Sequence, residues 1–181
     1  MEKIKWCGKI QKGIKLIEPN EEFSEEYLQK AFDSFKVLST IIDSNSLVWL
    51  ATTKYYTRYF AIYSVLAKLG IKSEVHDCTI AVAEFLEKEN ILEQGTHHKL
   101  KEEKQLRIDN QYYLKNKPVN IDLKELSEFF IQINQVLNSL TKSKIKEIRD
   151  KLNKILNLAS TNKDLNPIKA NKANKVTAIN T

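Results

Sequence analysis

The chain has 181 residues, with 29 lysines and arginines against 23 aspartates and glutamates, a net charge of +6. At 42% hydrophobic and 29% charged it has neither a disordered nor a membrane-embedded composition, and no apolar run approaches the roughly 20 residues of a bilayer span. Cys7 and Cys78 are too few for a disulfide framework or a four-ligand zinc site, so a cytoplasmic protein that touches no membrane is expected.

Four glycines and three prolines favour long helices over turn-rich sheet. Residues 1–19 read as a basic arm. Trp6, Ile10, Ile14 and Ile17 fall on one helical face, while Gly8 and Gly13 each weaken a helix by about 1 kcal/mol. Lysines interrupt every apolar stretch there, which argues against a secretory signal. Docking of the apolar stripe onto the main bundle is expected, in preference to contact with nucleic acid or a membrane.

Ser24, followed by Glu25 and Glu26, reads as a helix start. Tyr27, Leu28, Ala31, Phe32, Phe35, Leu38 and Ile42 then recur at helical steps. After a turn at 43–46, residues 47–69 are apolar on nearly every face and stop at Gly70, which predicts a central, surrounded helix. A third helix is predicted over about 74–89 and a charged one over 99–114, ended near Pro118. Asp122 and Glu125 form a capping pattern for the helix that carries Leu126, Phe129, Phe130, Ile133, Leu137 and Leu140.

A second apolar series, Ile145, Ile148, Leu152 and Ile155, follows a phase slip across Thr141–Lys144. One helix over 123–158 would be about 54 Å long, more than a compact bundle needs. The second half is therefore an extra packing helix or a protruding arm. Exposed aliphatics along Leu126–Ile155 would drive self-association into a homodimer. The expectation is an all-α, antiparallel up-and-down bundle over 20–140. A basic arm (1–19) precedes it, and a helical extension (141–158) and a disordered tail (159–181) follow.

Chemistry-bearing residues are sparse. His97 and His98, adjacent in sequence, are expected to diverge, and with no acid or cysteine at ligand spacing no metal site is expected. His76 opens the third helix, with a structural role expected. Glycine-rich phosphate loops and Ser/His/Asp sets are missing, and no cofactor is expected. Arginine is rare: only Arg58, Arg107 and Arg149 stand among the 29 cations. The planar guanidinium binds anions in a two-pronged way that lysine cannot, which directs attention to these positions.

The stretch Lys54-Tyr55-Tyr56-Thr57-Arg58-Tyr59-Phe60-Ala61, with Leu66, Leu69-Gly70-Ile71 and His76 beyond it, resembles the second-helix signature of HEPN-domain proteins. The likeness is to small stand-alone archaeal and bacterial members. Residues 27–31 resemble that family's first helix, and Leu106 to Tyr112 its arginine–acid–tyrosine stretch, so the likeness covers about residues 24–140. It implies an antiparallel helical bundle, usually a homodimer. It also implies one of two functions: a metal-independent ribonuclease with closely spaced arginine and histidine, or the partner of a small nucleotidyltransferase, often in a toxin–antitoxin pair.

No histidine stands at the ribonuclease spacing after any of the three arginines, and Phe60 occupies the place where relatives often carry one. A phenyl ring moves no proton. The expectation is a binding or partner protein without turnover. Arg58, Arg107, Asp109 and Tyr112 would offer nucleotide or RNA a fork, an acid and a stacking face. A buried arginine–aspartate pair tying two helices is the structural alternative. An atypical ribonuclease using Arg58, Arg107 and His76 is the functional one.

Overall fold

A helix apolar on almost every side has to be surrounded, and α3 (Leu47–Lys68) is. α2 (Glu21–Ile41) runs along it in the most extensive helix contact of the molecule, and α5 (Thr96–Gln111) and α6 (Leu123–Ser139) cover other sides. α4 (His76–Lys88) packs on α5 and on α1 (Glu2–Lys9), and α1 packs on α7 (Lys142–Ser160). The computed structural model describes residues 2–160, with side chains to Asn157; the expected tail lies outside the described residues from 161 onward. The described part is an all-α bundle. Its one sheet is a two-residue antiparallel pair, β1 (Lys15–Leu16) against β2 (Ile71–Lys72), with Leu16 opposite Ile71. No described helix is long and apolar enough to cross a membrane.

Several boundaries differ from the sequence expectation. α2 begins at Glu21, not at Ser24: Asn20 Oδ1 accepts from the Phe23 N–H at 2.8 Å, and Ser24 is buried within the first turn. α5 begins at Thr96 and ends before Tyr112, so His97 and His98 lie in its first turn. Their rings do not diverge but sit 4.1 Å apart, with His97 Nδ1 held 2.8 Å from the buried Glu87 carboxylate.

Thr141 separates α6 from α7, its hydroxyl accepting from the Lys144 N–H at 3.2 Å. α7 then returns to its own bundle. Ile148 and Leu152 are fully buried, and Arg149 Nη1 donates to the carbonyls of Ile17, Leu69 and Gly70 at 2.7, 2.8 and 2.9 Å. The extension is thus a packing helix. The apolar stripe expected to drive self-association is covered within the chain from Leu126 to Leu152. Gly70 has φ +65, and a side chain there would run into Arg149 and the Ile17 carbonyl.

α1 docks, as expected, but by a different stripe. Ile4 and Cys7 are buried, whereas Trp6 and Ile17 are exposed, because the helix stops at Lys9 and the chain turns before Ile14 enters the core. Cys7 and Cys78, both fully buried, are joined as a single disulfide between α1 and α4, their Cα atoms 5.6 Å apart. Closing a loop of 71 residues restrains the unfolded chain by about 4 kcal/mol in the chain-entropy account. Ile4, Cys7, Ile148 and Leu152 belong to the same core as the buried residues of α3 and α4.

Candidate functional site

Arg58 sits at the centre of a closed charge network. It is 2% exposed, on α3. Its Nε donates to both Glu103 oxygens at 3.1 Å, and its Nη2 to the Glu125 oxygens at 2.8 and 3.1 Å. The guanidinium also lies 4.5 Å from the Phe129 ring centre. Burial pushes the Glu103 carboxyl up despite Arg58 and Lys54 beside it. Burial also works upward on Glu125, but the Lys99 hydrogen bond and the Arg58 charge outweigh it and hold that carboxyl below the usual glutamate range. Asp122 caps α6 by accepting from the Glu125 N–H at 2.9 Å, while the Glu125 side chain leaves the capping box for Arg58.

A cleft of about 570 Å³ opens beside this network and includes Lys54, Lys99, Asp109 and Lys117 in its walls. Most of its charges are paired from within. Lys54 Nζ donates to the Asn120 carbonyl at 2.8 Å, and Lys99 to Glu125 at 2.8 Å. Asp109 is paired with Lys117 and with Lys115 at 3.0 Å, and hydrogen bonds from Lys117, Lys115 and Gln105 hold its carboxyl well below the usual range. Arg58 therefore ties α3 to α5 and α6 through two glutamates, not through Asp109.

Arg107, on α5, has different surroundings. It is 8% exposed, with its guanidinium carbon 5.1 Å from the Tyr55 ring centre and 5.6 Å from that of Tyr56. Among the described residues its buried Nε has no acceptor, and its one side-chain hydrogen bond runs from Nη1 to Gln111 Oε1 at 3.3 Å. Among the described residues no carboxylate pairs with it. The same tyrosines flank His76, whose Nδ1 is 2.6 Å from the Tyr55 oxygen and whose ring lies 4.7 Å from that of Tyr59.

Burial, then Arg107 and Lys104, push the His76 imidazolium down against the opposing pull of Asp77, so the ring is neutral at neutral pH. Burial also pushes the Tyr55 phenol far up and the Tyr59 phenol up to about 12. Tyr55 keeps its proton, and His76 is its sole hydrogen-bond partner among the described residues. The phenol therefore donates to Nδ1, which assigns the imidazole proton to Nε2. In that state His76 has a donor to offer and no free lone pair with which to take a proton.

The residues singled out from sequence thus divide. Arg58 and Asp109 share the cleft, Arg107 and His76 share the tyrosine cluster, and Tyr112 is exposed beyond the end of α5. Glu103 and the direct Tyr55–His76 bond went unforeseen; only the tyrosine pair itself carried a signal. No group of three His, Cys, Asp or Glu side chains suited to a metal ion occurs among the described residues. Comparison with protein-family models, curated proteins and solved structures finds no match.

Proposed function

We propose that this chain is a HEPN-like binding protein that holds a phosphate-bearing nucleotide or RNA segment at Arg107 and does not turn it over. The observation that carries the reading is a guanidinium, nine-tenths buried, with no counter-anion and an Nε without an acceptor among the described residues. A buried charge left unpaired is costly, and a phosphate supplies both the missing charge and the missing acceptors. The His76 Nε2–H adds a neutral donor beside it. Association with a nucleotidyltransferase-type protein, in a toxin–antitoxin arrangement or otherwise, is the partner role that the resemblance implies. A homodimer is its implied assembly, which light scattering of the purified chain tests against a 21.0 kDa monomer.

The ribonuclease alternative has less support. Arg58 is occupied by two glutamates, and the His76 lone pair by Tyr55. Titration with inorganic phosphate and a short single-stranded RNA at low salt should give binding that weakens steeply with salt, disappears in Arg107→Ala, and is accompanied by no cleavage. Metal-free RNA cleavage that is abolished by His76→Ala would overturn this reading in favour of the ribonuclease. The reading assigns the chain to the cytoplasm; alkylation of Cys7 and Cys78 in intact cells tests that assignment, since a persistent bridge points to an oxidising compartment.

A further inference from the structure

Apart from its disulfide, α1 is joined to the rest of the molecule by little. Of its residues only Ile4 and Cys7 are buried, and Cys7 is itself one end of the bridge. Among the described residues its one ion pair with another element is Lys3 to Asp77 at 3.8 Å, half exposed and so screened by water and salt. Gly8 lets the helix lie against α7, where a Cβ would stand 2.7 Å from Leu156 Cδ2. Eight residues are too few for a helix that persists alone in water. The chain beyond α1 is anchored without the bridge. The Lys12 carbonyl accepts from the Glu74 N–H at 3.0 Å, and Leu16 pairs with Ile71. The N–H groups of Ile17 and Asn20 donate to the Gly70 and Ala67 carbonyls at 2.9 and 3.1 Å.

We infer that the Cys7–Cys78 bridge is a redox latch on residues 2–11. Oxidised, it pins α1 against α4 and α7; reduced, it lets α1 lift while the fold from Lys12 onward stays closed. The step is a two-electron reduction by a dithiol. One thiolate of the reductant attacks a bridge sulfur, the S–S bond breaks, and the displaced thiolate takes up a proton. The second thiolate of the reductant then resolves the mixed disulfide, leaving Cys7 and Cys78 as thiols and the reductant as a disulfide. Both bridge sulfurs belong to fully buried residues, so the attack passes through the same opening of α1 that reduction then favours. Where cellular dithiols prevail, a bridge of this kind is transient and reports the redox state.

The test uses the full chain carrying Trp49→Phe, which leaves Trp6 on α1 as its one tryptophan. Dithiothreitol should release both thiols and lower the Trp6 fluorescence anisotropy. It should also speed hydrogen exchange at the Trp6 to Lys9 amides by at least ~10-fold, while Ile17 and Asn20 stay within ~2-fold. Re-oxidation should restore both signals. Cys7→Ala should show the open state without reductant, and dithiothreitol should then change nothing further. Unmoved Trp6 anisotropy and exchange in a chain with both thiols free overturn the latch. Loosening of Ile17 and Asn20 as large as that of α1 overturns it as well, since the bridge is then a staple of the whole fold. A folded chain that dithiothreitol fails to reduce shows a permanent bridge and overturns it too.

Discussion

Arg58 and Arg107 are both buried arginines on neighbouring helices, and they differ in one respect: among the described residues Arg58 has two carboxylates and Arg107 has none. The first is a structural tie between α3, α5 and α6. The second has no carboxylate partner among the described residues and rests instead against the Tyr55 and Tyr56 rings. Removing one partner of a buried ion pair strands the other charge, so the two arginines should respond differently to truncation.

The contrast makes the Arg58 substitution the largest expected effect. Arg58→Ala strands Glu103 and Glu125 and should lower unfolding stability by about 3–5 kcal/mol in urea titration. Arg107→Met should cost no more than about 1 kcal/mol, since it strands no charge and releases only the long hydrogen bond to Gln111, and should remove phosphate binding. Equal losses in the two variants would break the comparison. Reduction of the Cys7–Cys78 bridge comes next, at up to about 4 kcal/mol. Because it joins α1 to α4, whose first residue is His76, hydrogen exchange should quicken there before it does around Arg58.

Smaller effects sharpen the local picture. Asn20→Ala should cost about 1 kcal/mol through loss of its cap, measured by thermal unfolding, and more than Glu25→Ala. The smallest effect is a pH slope. The folded pKa of His76 lies below the unfolded value of about 6.5, so the unfolded state binds the proton more readily. The stability contributed by the neutral ring is complete above about 6.5. It is lost as pH falls from there toward the lowered folded value. His76→Gln should flatten that part of the stability curve, and an unchanged slope would place the titration elsewhere.

The helices were legible where one local signal dominated. Residues 47–69 are apolar on nearly every face, which has one physical solution, and Asp122 with Glu125 marks a start that the structure keeps. The start of α2 was ambiguous because Asn20-Glu21-Glu22 and Ser24-Glu25-Glu26 carry the same cap chemistry. A non-local contact decides it: the Asn20 N–H donates to the Ala67 carbonyl at 3.1 Å. At the site, arginine scarcity pointed to Arg58 and Arg107 but not to their partners. Glu103 and Glu125 stand 45 and 67 residues from Arg58, and their meeting depends on how three helices are rotated against each other. The separation of Arg107 from Asp109 was readable, since residues two apart on a helix do not share a face.

The three carbonyls gathered by Arg149 bear on the order in which the chain is built. Ribosomes deliver the N-terminus first, yet Ile4 and Cys7 lie in a core that also needs Ile148 and Leu152. The Ile17 and Gly70 carbonyls, emerging early, wait for a donor some eighty residues or more downstream. The first helix synthesised is thus among the last to be enclosed, and during translation its thiol can meet Cys78 well before α7 arrives to cover the pair.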